Sequence, residues 1–174
     1  MADPIPFADV LLDVERILRA LTDNDVAYVV CGGIAAQLAG SPLTTEDLDF
    51  TPADDPDNLD RCAAALNALG AQWRVPGLLE GFPPPAPLAG PVLAGKMSLA
   101  FVTTAGFLDL VLIHSDGARY GDMAADAAPV NLYGISVQIA SLASIISAKQ
   151  AAGRDKDVRA LPFLHELHRR RGDG

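Results

Sequence analysis

The chain has 174 residues, of which 50% are hydrophobic and 20% charged, and its formal net charge is -9. A chain of this length buries roughly 70% of its unfolded surface without any staple, which predicts one compact domain over residues 1–174 and excludes a wholly disordered or collagen-like polymer. The longest apolar runs, Tyr28–Cys31 and Leu110–Ile113, fall far short of a membrane span, and Met1–Val10 offers no charged leader before an apolar stretch. The expectation is a cytoplasmic protein with no membrane partner.

Cys31 and Cys62 form no CxxC, and His114, His165 and His168 lack the spacing of a zinc site, so buried thiols are expected rather than a structural zinc or a thiol enzyme. The acidic charge excludes wholesale, sequence-blind wrapping of a polyanion. It also hides a gradient: residues 1–60 carry 13 acidic and 2 basic groups, whereas residues 149–171 carry 7 basic and 3 acidic ones. Either an acidic metal-holding half meets a basic phosphate-facing half, or the gradient is surface composition alone.

In chain order, Pro6–Leu21 places Phe7, Val10, Leu11, Val14, Ile17, Leu18 and Leu21 at helical spacing. Val26–Cys31 reads as a buried strand ending at Gly32-Gly33, and Ile34–Leu38 as a short helix that stops near Gly40. Glu46–Phe50 alternates polar and apolar residues, so Asp47 and Asp49 point to one side of a strand. Pro52–Leu69 predicts a helix with Leu59, Cys62, Ala63, Leu66 and Leu69 buried and Gly70 as its stop. The Pro- and Gly-rich stretch 76–95 reads as a long surface loop, a substrate-side flap or an insertion. Met97–Val102 and Phe107–Ile113 predict a hairpin, Gly134–Ile139 a further strand, and 141–170 the C-terminal helices, with Ser141 as an N-cap and a last helix from Asp155.

The chemistry-bearing pattern is a buried strand, Gly32-Gly33, a short helix, and then Asp47-Leu48-Asp49 on a second strand. Glycines let backbone approach a phosphate, although Gly-Gly is also an ordinary strand-to-helix turn, and neither a P-loop nor a dinucleotide fingerprint is present. Two same-facing carboxylates could hold Mg2+, with Asp109 completing a two-metal site about 3.5–4 Å across; the alternative is an edge strand whose acids face water. Asp109, between Leu108 and Leu110, needs a partner or a solvent opening to offset its desolvation.

Val30-Cys31-Gly32-Gly33 followed by Thr45-Glu46-Asp47-Leu48-Asp49-Phe50 resembles the signature of the nucleotidyltransferase (DNA polymerase beta-like) superfamily. The Ser141–Asp157 stretch, with Lys149 and Arg154-Asp155-Lys156-Asp157, resembles the corresponding segment of the AbiEii and MenT-type toxin branch. The matched segments span about residues 26–165. The resemblance implies an α+β fold with a small mixed β-sheet flanked by helices. It implies that Asp47, Asp49 and Asp109 bind Mg2+ or Mn2+, and that Asp109 helps activate an acceptor hydroxyl. Gly32 and Gly33 would hold nucleotide phosphates, Lys149 would engage the triphosphate, Asp157 would lie near the nucleotide, and Arg154 and Lys156 would be further contacts.

The implied reaction moves a nucleoside monophosphate from a nucleoside triphosphate to a hydroxyl, with a tRNA 3′ end as acceptor and a cognate antitoxin as partner in the toxin branch. A small-molecule or protein acceptor, and a degenerate nucleotide-binding protein, are the alternatives. Where members of the resembled family often carry R-x-T-x-D, this chain has Leu43-Thr44-Thr45-Glu46-Asp47, a departure that points to altered acceptor or nucleotide choice, or to weak or absent activity. Trp73, beside Arg74, is expected to pack in the core or at its rim, with stacking on a base as the alternative, and His165 and His168 to lie on the surface or at an interface. Arg169-Arg170-Arg171 reads equally as an RNA contact or a solvated tail.

Overall fold

The structure, a computed structural model, describes residues 11–172; Met1–Val10, including Phe7 and Val10 of the first predicted helix, lies outside the described residues. Helix α1 runs Val14–Asp23, later than the periodicity predicts, because Asp13 caps it. The Asp13 carboxylate accepts from the Arg16 amide at 3.0 Å, while the Asp13 amide donates to the Ala105 carbonyl rather than into a helix. Strand β1 (Tyr28–Cys31) is buried along its whole length and passes directly into α2 (Gly32–Leu38), so the glycine pair forms the first turn of that helix rather than preceding it.

Strand β2 (Asp47–Pro52) buries Leu48 and Phe50 on one face and turns Asp47 and Asp49 to the other. Helix α3 (Pro56–Ala68) starts four residues beyond the predicted Pro52, where the Asp55 carboxylate accepts from Asn58 and Pro56 occupies the first turn. It buries the predicted Leu59, Cys62, Ala63 and Leu66.

The expected 76–95 loop instead contains a strand and a helical turn, which together take up nearly half of it. Strand β3 (Gln72–Val75) turns at Pro76-Gly77 into β4 (Leu78–Phe82), and a one-turn helix α4 follows at Gly90–Leu93. The glycines and prolines serve the hairpin rather than preventing it. Gly77 takes the positive φ of the turn, and Gly81 allows close approach at an irregular pairing, where a Cβ would meet the Trp73 carbonyl. Strand β4 lies at a sheet edge, where such residues are tolerated, and Pro83-Pro84-Pro85 follows its end.

Strands β5 (Ser98–Thr103) and β6 (Gly106–Val111) form the predicted hairpin. Its turn is held by the Thr103 hydroxyl, which donates to the Gly106 carbonyl at 2.7 Å and accepts from the Ala105 amide at 3.0 Å. Helix α5 (Tyr120–Ala125) and strand β7 (Ala128–Leu132) come next, then β8 (Ile135–Ile139). Helix α6 (Leu142–Ala152) is capped by Ser141 as predicted, ends at Gly153 in the left-handed region, and gives way to α7 (Asp155–Gly172).

The strands assemble into one mixed sheet of order β4-β3-β5-β6-β2-β1-β8-β7. This is an α+β fold with a mixed sheet flanked by helices. Helix α3 packs on α1, α4 and β2, while α2 packs on α6 and α6 on α7. Strand β2 is internal, antiparallel to β1 and parallel to β6, which removes the edge-strand reading of its acids. Among the described residues no helix is long and apolar enough to cross a membrane.

Candidate active site

The acidic centre follows from strand register. Parallel pairing of β2 and β6 sets Asp49 beside Asp109, and the period of two puts Asp47 on the same face one step along. All three line a cavity of about 560 Å3, a size that suits a small ligand. Thr45 orients the first acid, its hydroxyl donating to the Asp47 carboxylate at 2.7 Å.

The glycine pair is explained by these acids. Gly32 has φ +61°, and a Cβ there would fall on the Asp49 carboxylate; a Cβ on Gly33 would fall on the Thr45 side chain. The Gly33 amide hydrogen-bonds the Asp49 carboxylate. Gly32→Ala therefore both strains the backbone and displaces Asp49, and should lower stability by about 1–3 kcal/mol, read from denaturant midpoints.

Burial raises the pKa of Asp49 to about 7, reinforced by the nearby charges of Asp47 and Asp109 and opposed by Lys156. Burial also raises Asp109, whereas Arg74 lowers it. A carboxyl whose folded-state value lies above its ordinary 3.8 holds its proton more tightly when folded, so stability falls as pH rises from about 4 to about 7. The metal-free Asp49→Asn protein should accordingly melt several degrees higher than the parent chain above about pH 7, with the difference shrinking toward pH 4. Thermal melts with a chelator present, repeated across that range, check this.

Around the acids stand cations from three elements. Lys149 comes from the last turn of α6, Arg154 from the link after Gly153, and Lys156 and Arg159 from the start of α7; all line the cavity. Asp157 is fully buried between two of them, accepting from Lys149 Nζ at 3.1 Å and from Arg154 Nε at 2.7 Å. Burial alone would raise its pKa, but the hydrogen bonds from Arg154 and Lys149 outweigh that and hold it below the ordinary carboxylate range. Both Asp157 oxygens are thus engaged by protein, tying Lys149 of α6 to Arg154 at the start of the last helix.

Arg74, which sequence pattern marks only as a neighbour of Trp73, reaches the same centre. Its guanidinium lies 3.3 Å from Asp109 and 3.7 Å from Asp47, above the Phe107 ring. Trp73, on the other side of β3, stacks on Phe101 as the packing reading expects. A second missed group is His114. Nearly buried at the cavity wall, it hydrogen-bonds Thr51, whose hydroxyl lies 3.6 Å from Cys31 Sγ. Burial, and then the charge of Asp49, raises the Cys31 thiol, so Cys31 and the equally buried Cys62 are inert free thiols, not nucleophiles. No sequence signal short of the strand order could have brought Arg74 to the acids or His114 to the cavity wall.

The donor set fits a hard divalent cation, since the charges of Asp47 and Asp109 raise the proton affinity of Asp49, that of Asp47 raises Asp109, and a dication would relieve this repulsion. Among the described residues, however, no group of three or more His, Cys, Asp or Glu side chains is arranged to hold a metal ion as it stands. Two of the acids hold Arg74 instead. Leu43, which stands where the resembled R-x-T-x-D motif has arginine, lines the cavity.

No family model matches the chain, and no curated protein is significantly similar to it. Solved structures do share its fold. A lincosamide antibiotic adenylyltransferase, LnuA, solved with lincomycin bound, superposes with a TM-score of 0.58 at 13% identity, covering 90% of this chain and 99% of that one. A Thermotoga maritima protein assigned as a nucleotidyltransferase gives 0.52 at 16% identity, covering 91% and 98%. ANT(2″)-Ia, in complex with adenylyl-2″-tobramycin, gives 0.52 at 15% identity, covering 87% and 84%. At these identities the likeness establishes the nucleotidyltransferase fold.

Proposed function

We propose that the protein transfers a nucleoside monophosphate from a nucleoside triphosphate to an acceptor hydroxyl, with Mg2+ or Mn2+ as cofactor. The observation that carries this reading is the convergence of Asp47, Asp49 and Asp109 on one face of two parallel-paired strands, in a cavity also lined by Lys149, Arg154 and Lys156. Acids of this kind suit a divalent cation, and the neighbouring cations suit a polyphosphate.

Asp47, Asp49 and Asp109 would hold the metal, which when bound supplies neutralisation of the triphosphate charge and activation of the acceptor oxygen. The acceptor oxygen bonds to the α-phosphorus as the bond to the pyrophosphate oxygen breaks. Asp109, its proton affinity raised by burial, accepts the hydroxyl proton. Lys149, steadied by Asp157, offsets negative charge gathering on the leaving pyrophosphate. Gly32 and Gly33 border the phosphates with backbone alone while seating Asp49 and Thr45.

A small hydroxylated molecule is the acceptor we favour. The net charge is -9, and the C-terminal arginines are engaged within the chain: Arg169 and Arg170 pair with Glu166, and Arg171 donates to the Ala39 carbonyl. Two proteins of this fold are seen with lincomycin and with an adenylylated tobramycin. A tRNA 3′ end, with a cognate antitoxin as partner, is the second reading, and the basic lining of Lys149, Arg154, Lys156 and Arg159 favours it.

The test is incubation with each α-labelled nucleoside triphosphate and Mg2+ beside a panel of hydroxylated small molecules, purified tRNA and protein extract, with Asp47→Ala as control. Label on a small molecule supports the favoured acceptor, and label on tRNA supports the second reading. Absence of transfer to every acceptor contradicts the proposed activity.

A further inference from the structure

Arg74 is placed by sheet order, not by sequence proximity. In the series β3-β5-β6-β2, Trp73 pairs with Phe101, which sets Arg74 beside Ala100 of β5. The small Ala100 lets the guanidinium pass over its strand to Asp109 on β6 and Asp47 on β2, with the Phe107 ring 4.7 Å beneath it. Of the other cations around the acids, Lys149 and Arg154 are paired with Asp157, whereas Lys156 acts on Asp49 and Asp109 by its charge without forming an ion pair with either. Among the described residues, Arg74 alone forms ion pairs with these site acids.

We propose that Arg74 is the resident counter-ion of the acidic centre, so that a divalent cation must displace its guanidinium from Asp47 and Asp109 to bind. This rests on the metal-binding reading above. The argument is one of shared ligands: a guanidinium and a dication each need the same carboxylate oxygens, and they repel each other at contact distance. A triphosphate arriving with the metal offers Arg74 a new anionic partner and removes that competition. Metal loading thereby becomes dependent on nucleotide, and free metal alone binds weakly.

The experiment titrates Mn2+ into the full chain at about pH 8, above the Asp49 midpoint, and reads free Mn2+ by electron paramagnetic resonance. Arg74→Met keeps an apolar stem over Phe107 and loses the charge; it should bind Mn2+ about tenfold more tightly than the parent chain. Arg74→Lys, which keeps the charge, should gain much less. A non-hydrolysable nucleoside triphosphate analogue should tighten Mn2+ binding more in the parent than in Arg74→Met. Should Arg74→Met fail to fold, Ala100→Leu, which fills the passage from another strand, should produce the same tightening.

Equal affinities in the parent and the charge-removed variant, with binding lost in Asp47→Asn, overturn the role of Arg74 and leave the metal reading standing. No Asp47-dependent Mn2+ binding in any variant, with or without the analogue, overturns the metal reading and this inference with it.

Discussion

Asp49→Asn should reduce Mg2+-dependent nucleotidyl transfer roughly 10^3-fold or more, the scale expected when a metal-holding charge is removed from a phosphoryl-transfer centre. Asparagine keeps the shape of the side chain and removes its charge. It leaves Asp47 oriented by Thr45 and Asp109 in register on β6, so the loss would come from charge rather than from collapse of the sheet. The same substitution should raise the melting temperature of the metal-free protein at alkaline pH, because it removes a carboxylate whose ionisation burial and two neighbouring acids oppose. Opposite signs for activity and stability in one variant mark a residue retained for chemistry at a cost to the fold. A rate measured from pyrophosphate release, paired with thermal melts, reads both.

Asp157→Ala carries the largest expected loss of stability, about 3 kcal/mol, because removing the buried member of an ion-pair cluster leaves its partners uncompensated. The figure sits at the low end for buried pairs, since Arg154 is 63% exposed and recovers solvation while Lys149, at 16%, does not. The sign of the pH dependence follows from the lowered pKa of Asp157. Its contribution is fully present above its ordinary value of 3.8 and is lost as pH falls through the lower folded-state value. The difference between parent and Asp157→Ala in urea midpoints should thus be constant near neutrality and shrink in acid. Activity should fall as well, through Lys149, which loses the partner that fixes it at the junction of α6 and α7.

The two carboxylate motifs were legible because they are local. Alternation in Asp47-Leu48-Asp49 fixes a shared face whatever the sheet order, and an aspartate between Leu108 and Leu110 announces a special place in an apolar strand. The Ser141 cap was legible for the same reason, whereas the Asp55-Pro56 start of α3 lies four residues beyond the Pro52 that composition suggests. The β3–β4 hairpin was hidden because its glycines and prolines, read as loop composition, belong to its turn, an irregular pairing and the edge it forms. Helix α5 and strand β7 were hidden by their shortness, six and five residues with few buried side chains. The full burial of Asp157 and its pairing with Lys149 and Arg154 were hidden because they depend on how α6 packs against α7, which no periodicity within either helix encodes. Arg74 reaches its partners across β5, a relation set by strand order among residues 72–111.

The most direct test of the central claim, that Asp47, Asp49 and Asp109 form one cation-dependent nucleotide site, is calorimetric titration of a non-hydrolysable nucleoside triphosphate analogue with and without Mg2+. The parent chain is compared with a variant carrying Asp47→Asn, Asp49→Asn and Asp109→Asn together, its fold checked by circular dichroism. The account predicts Mg2+-dependent binding to the parent and none to the folded triple variant. Equal, Mg2+-dependent binding by both would contradict it.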